Sequence, residues 1–435
     1  MTKKNSAVAE SKAPLTRDQS TGYLLVPRAW LAAILVLVLL PWLIVGAYVW
    51  SGGEAADHTT EKASTEKPTA GRGPSRLGKL GPWGQLEYVP IIISPPLEFI
   101  PDAREPFQER LIWFFQNSSP DEVSEFLLRS GLVPEQVSSL MSTARLAPEI
   151  QGVSLVPTRD LILGLPPSTR GMIYGRLAEC ELNVTQRNAF RFYGSSFDEW
   201  FGTTRLPQEI IALVEPLVYR NGDFMCFSDI DLIAPKIPDA SVRRRLTKVL
   251  FRESTLLVHL RVPEGSDVDR IAAYWGTGGR RTDIRPLLDS LSPDQPIDIN
   301  LLLPVFARRR VYAYRPVTLG DFDKSQQVNC FWTALNFFND PPDDSLVDYK
   351  KVLETVKRDY VLVHDNLQLG DIVLFADEKG NYFHAAVYIA DDIVFTKNGD
   401  SILSPFVLVP LDRIGGYYPG LNTSRIYYYR LKRLS

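Results

Sequence analysis

The chain has 435 residues, enough for two or three domains. Its 45% hydrophobic and 23% charged residues are the proportions of an ordinary globular protein, not of a disordered or fibrous one. A net charge of −3 removes the electrostatic basis for nucleic-acid binding, and the scattered cysteines Cys180, Cys226 and Cys330 exclude a disulfide scaffold or a zinc site.

Residues 1–28 read as a short cytoplasmic tail. The uncharged run from Ala29 to Trp50 has the length, about 20 apolar residues, that crosses a bilayer. Trp30, Trp42, Tyr48 and Trp50 are suited to its interfaces. The run exceeds the core of a cleaved leader, about 7–15 residues. A retained single-pass transmembrane anchor is therefore expected, with a cut near Gly53-Glu54-Ala55 as the alternative. Lys3, Lys4, Lys12, Arg17 and Arg28 precede the run, and only Lys62 and Lys67 closely follow it. That asymmetry predicts a cytoplasmic N-terminus and, in a bacterium, an inner-membrane protein whose later domains are periplasmic. Residues 51–83 are polar and rich in Ser, Thr, Glu, Lys, Pro and Gly, which predicts a flexible linker.

Residues 84–315 predict a mainly helical domain. Ser119-Pro120-Asp121-Glu122 carries a capping box, and Gly131 ends the helix it opens. Pro207 opens a second helix, and Ser241 is expected to cap a basic one holding Arg243, Arg244, Arg245 and Lys248. A strand over Thr255–Val262 interrupts them. The clusters at 243–245 and 308–310 read as solvated faces, and Trp113, Phe114, Phe115, Trp200 and Phe201 as core. Cys180 and Cys226 are either two buried thiols or, in an oxidising compartment, a pair. No function is assigned to this domain.

From 316 the pattern becomes a helix opening at Cys330, a second helix over 346–357, and strands at 360–363, 372–375, 382–389, 393–399 and 424–430. The predicted class is α+β, with a small antiparallel sheet in this last domain, 316–435. Backbone N–H groups at a helix start favour a thiolate. An imidazole brought alongside from a strand can hold it as an ion pair, so Cys330 and His384 are the candidate nucleophile and base.

Helix-opening Cys330, the Gly370-Asp371 turn into an apolar strand, and His384 leading an alternating strand to Tyr388 give 316–435 its likeness. The stretch resembles the NlpC-type branch of papain-like cysteine peptidases, bacterial cell-wall hydrolases that cut stem-peptide amide bonds. It departs from the usual Asp-Cys-Ser-Gly by having Asn329-Cys330-Phe331-Trp332. The resemblance implies a peptidoglycan peptide as substrate, no metal or organic cofactor, and a third residue that orients His384. Asn398 is preferred for that role, with Thr396 as the alternative, and Tyr314 is a candidate beside the oxyanion. Three other readings stand beside this one. They are a transglutaminase-like enzyme using Asp400 or Asp412, a lipid-acyl cysteine enzyme, and an inactive papain-like scaffold or binding protein.

Overall fold

A computed structural model describes residues 74–100, 111–292, 295–315, 328–418 and 425–434, all within the compact unit Thr69–Ser435. Its strands in chain order are β1 (Arg76–Gly81), β2 (Gly84–Ile93), β3 (Trp113–Phe115), β4 (Arg145–Ala147), β5 (Gly152–Leu155), β6 (Phe190–Tyr193), β7 (Tyr219–Asn221) and β8 (Phe224–Phe227). There follow β9 (Glu253–Arg261), β10 (Ile297–Asp298), β11 (Tyr360–Val363), β12 (Ile372–Ala376), β13 (Tyr382–Ala390), β14 (Ile393–Lys397), β15 (Phe406–Pro410) and β16 (Arg425–Leu431). They form antiparallel sheets in the orders β1-β2-β9-β10, β3-β5-β4, β6-β8-β7 and β11-β16-β12-β13-β14-β15.

The expected fold class is corrected on two counts. The middle of the chain is not mainly helical: β1 to β10 make up three sheets between its short helices. Strands of three or four residues are too short to display alternation, and β2 alternates only in its first half, where buried Leu86 and Tyr88 alternate with Gln85 and Glu87. β2 and β9 pair from Gln85↔Arg261 to Ile93↔Glu253. Among the described residues no helix is long and apolar enough to cross a membrane, and the segment 29–50, where one was expected, lies outside them. The tail 1–28 lies outside them as well.

The linker expected over 51–83 ends earlier than its composition indicates. β1 lies within it, with Leu77 and Leu80 exposed. Backbone pairing with β2 holds this edge strand rather than apolar burial, which is why a polar composition does not reveal it. The capping box at Ser119 is present, with Glu122 reaching back to the Ser119 N–H at 2.7 Å. The basic helix Ala240–Leu250 is capped by Asp239, not Ser241: its carboxylate accepts from the Ser241 N–H at 2.7 Å. Trp113, Phe115, Trp200 and Phe201 are buried in the core, and Cys180 and Cys226 are free, buried thiols.

One hydrophobic core runs across 315/316. Leu86, Val258, Trp275 and Leu302 share it with Trp332, Val387 and Phe395. Polar ties cross the same line: the Thr255 hydroxyl exchanges hydrogen bonds with the Leu408 backbone at 2.8 and 3.1 Å, and Tyr274 donates to the Ile389 carbonyl at 2.7 Å.

The Gly370-Asp371 turn starts β12. The Asp371 carboxylate accepts two bonds from Arg430, at 2.8 and 2.7 Å, and one from the Gln368 N–H. Gly370 sits at φ +94°, and a Cβ there would fall 2.2 Å from the Phe338 ring. Gly370→Ala is therefore expected to cost about 2–3 kcal/mol through left-handed strain and displacement of Phe338. Chemical denaturation reads this as a lower midpoint at unchanged slope.

Candidate active site

Cys330 opens the helix Cys330–Leu335, whose N-cap Asn329 accepts from the Trp332 N–H at 3.0 Å. Every residue of the helix is buried. Phe331 and Trp332, bulky where the resembled family has small residues, turn into the core. Trp332 packs at a tilt against Phe306, with 5.1 Å between ring centroids, and donates its indole N–H to Asp344 at 3.2 Å. The aromatic pair thus serves packing, both rings being buried in the shared core.

The helix packs on one face of the sheet, in one cluster with Ala385, Val387 and Phe395. His384 lies directly opposite Phe375 in the β12–β13 ladder, and Thr396 opposite Val407 in β14–β15. Phe375 and Val407 belong to the cluster on the other face. His384 and Thr396 therefore share a face that the Cys330 helix does not cover, a consequence of the two-residue period of strands.

His384 is fixed through both ring nitrogens. Thr396 Oγ1 lies 3.1 Å from Nε2 and also 3.1 Å from the Ala385 carbonyl. The hydroxyl can donate only one proton, and the carbonyl can only accept, so Thr396 donates to Ala385 and accepts from Nε2–H. Nδ1 is then the lone pair, and it accepts from the Tyr418 hydroxyl at 2.6 Å. Thr396, not Asn398, is thus the residue that orients the imidazole. β14 ends at Lys397 and the chain turns at Gly399, φ +76°, so Asn398 is no longer on the strand face it was expected to share.

Cys330 and His384 make no hydrogen bond to each other; the ring's partners are Thr396 and Tyr418. Burial pushes the Cys330 thiol up to about 11, against the pull of the backbone N–H groups of Ala385, Phe331 and Cys330 itself and of the Lys397 charge. Burial lowers His384 to about 3. Lys397 is lowered to about 8, again by burial, while Asp400 and Cys330 act the other way. At neutral pH this arrangement holds a thiol and a neutral imidazole, not the expected ion pair. Cys330 shares a core cluster with Ala385, the residue that follows His384 in β13.

Tyr314, expected beside the oxyanion, has a buried hydroxyl without a partner and feels the charge of Glu253. Tyr418 and Lys397 were not expected at all. No local signal marks Tyr418, which reaches His384 from beyond β15. A cavity of about 360 Å³ opens beside this centre. Tyr418 forms part of its wall, together with Asn398, Glu253 and residues flanking β6. Asp400 bears on Lys397 rather than on His384, whose Nε2 is taken by Thr396.

No protein-family model, curated protein or solved structure matches this chain.

Proposed function

We propose that this protein is a cysteine hydrolase of amide bonds in a closed state, in which the Tyr418 hydroxyl occupies the base. One observation carries the reading: the helix that Cys330 opens packs against Ala385 of β13, the neighbour of His384, whose ring is oriented by Thr396. Nucleophile and base thus belong to adjoining positions along β13, and the reading requires the His384 ring to reach round from the face that the helix does not cover. With Tyr418 displaced, Nδ1 can take the thiol proton, and the resulting thiolate adds to an amide carbonyl. The N–H groups of Cys330 and Ala385 are the nearby donors for the oxyanion. The imidazolium protonates the departing amine; His384 then activates water, which releases the acid and restores the thiol. The resemblance of 316–435 makes peptidoglycan stem peptides the proposed substrate. The charge asymmetry around 29–50 makes an extracytoplasmic, membrane-attached location the proposed one.

A second reading, a binding protein without catalysis, is favoured by one observation: both ring nitrogens are engaged and the thiol is neutral and buried. Full-length protein incubated with purified peptidoglycan fragments, followed by mass spectrometry, separates the two. Hydrolysis is expected, with loss of about 10³-fold or more in Cys330→Ser and in His384→Ala. Intact fragments, together with Cys330 alkylation indifferent to His384→Ala, would establish the second reading.

A further inference from the structure

Three guanidinium groups line the cavity that Tyr418 borders. Arg187 and Arg191 flank or lie on β6, Arg252 precedes β9, and all three line it. Arg191 bonds the Ala189 and Arg187 carbonyls, both at 3.1 Å, yet its Nε is buried without a partner. Arg252 gives one N–H to the Trp200 carbonyl at 2.6 Å. Arg187 meets Glu181 at 3.7 Å, but that carboxylate is 85% exposed, so solvent weakens the contact. The single carboxyl on the described lining is Glu253. It accepts from the Tyr417 hydroxyl, and burial raises it to about 7, with Arg413 acting the other way. The lining is therefore net positive at neutral pH.

Asn398 supplies the second, independent observation. Its amide nitrogen and oxygen are both buried, and neither has a partner. Buried polar atoms are almost always paired, so two on one side chain that borders a cavity point to a ligand that satisfies them. A side-chain amide offers a donor and an acceptor side by side, the complement of a peptide unit. An inorganic anion could satisfy only its donor.

We propose that this cavity binds a peptide segment carrying a carboxylate. Arg191 and Arg187 receive the carboxylate, and Asn398 pairs with the N–H and C=O of the adjoining peptide unit. Its volume lies within the range of about 300–1,000 Å³ common for small-ligand sites. Because Tyr418 is shared with the His384 site, the bound segment lies next to the bond to be cut. That last step rests on the hydrolase reading, whereas the binding site itself does not.

The test uses full-length Cys330→Ser protein, which cannot turn the ligand over, and two dansylated tripeptides read by fluorescence anisotropy. One is alanyl-glutamyl-alanine as the free acid. The other is alanyl-glutaminyl-alaninamide, isosteric and uncharged. The acid is expected to bind about tenfold or more tightly than the amide. Arg191→Gln and Arg187→Gln should each erase most of that preference while leaving amide binding unchanged, and Arg191→Lys should restore part of it. Asn398→Ala should weaken both peptides alike. Arg187 is partly exposed, so its variant keeps the test valid if Arg191→Gln is unstable. Equal binding of acid and amide, no binding of either at millimolar peptide, or a preference that survives both arginine variants would overturn the proposal. Active wild-type enzyme without the acid preference would remove the cavity assignment alone. The preference with an inert Cys330 would remove the hydrolase reading alone.

Discussion

Replacing Arg170 by methionine should lower the unfolding free energy by about 3–5 kcal/mol, the largest stability loss expected from one substitution outside the site. Arg170 is fully buried, and its guanidinium pairs with the Asp229 carboxylate. It also donates to the Ile162 carbonyl at 2.7 Å. Tyr174 donates to the other Asp229 oxygen at 2.6 Å. Burial already raises the Asp229 carboxyl, with Arg170 and Tyr174 holding it down. Without Arg170 a buried carboxylate is left uncompensated and rises further. An acid whose folded pKa is raised adds stability at low pH and loses it as pH rises, so the deficit of Arg170→Met should be smaller at pH 4 than at pH 7. Urea titrations at the two values measure this. The double variant Arg170→Met/Asp229→Leu should recover part of the loss, because no unpaired charge then remains. A double variant no more stable than the single one would mean that packing of the guanidinium, not its charge, is what matters.

Replacing Tyr418 by phenylalanine should raise the rate of Cys330 alkylation by iodoacetamide at pH 7.5 by about tenfold or more. The substitution keeps the ring against Phe383, 5.4 Å between centroids, but removes the hydroxyl that fills Nδ1. The imidazole then has a free lone pair as base. The gain should vanish in Tyr418→Phe/His384→Gln, and an unchanged rate in Tyr418→Phe would show that the imidazole does not serve the thiol. A pH effect accompanies this centre. His384, lowered to about 3 in the fold from an ordinary value of 6.5, binds a proton in the unfolded chain between those values and not in the native one. Stability from this group is therefore fully present near neutrality and is lost as pH falls from about 6.5 towards 3, at ~1.4 kcal/mol per pH unit. His384→Gln should flatten that part of the stability profile.

Around the candidate site, much was legible along the chain. The Cys330 helix, the Gly370-Asp371 turn and the strands at 372–376, 382–390 and 393–397 follow from local signals: a capping residue, a positive-φ glycine and strand patterning. Thr396 stood among the candidates for orienting His384 because its spacing along β14 is a local property too. What the sequence could not carry is whatever depends on two segments meeting. The sheets of the middle region rest on pairings such as β2 with β9, and their shortest strands hold no period of their own. The side of the sheet that His384 faces, and the arrival of Tyr418 at Nδ1, depend on how β13 pairs and where the chain returns after β15. The ionisation of Cys330 and His384 was the largest departure. Residue type and helix position predict a thiolate, but burial decides the proton, and burial is a property of the packed neighbours rather than of the residues themselves.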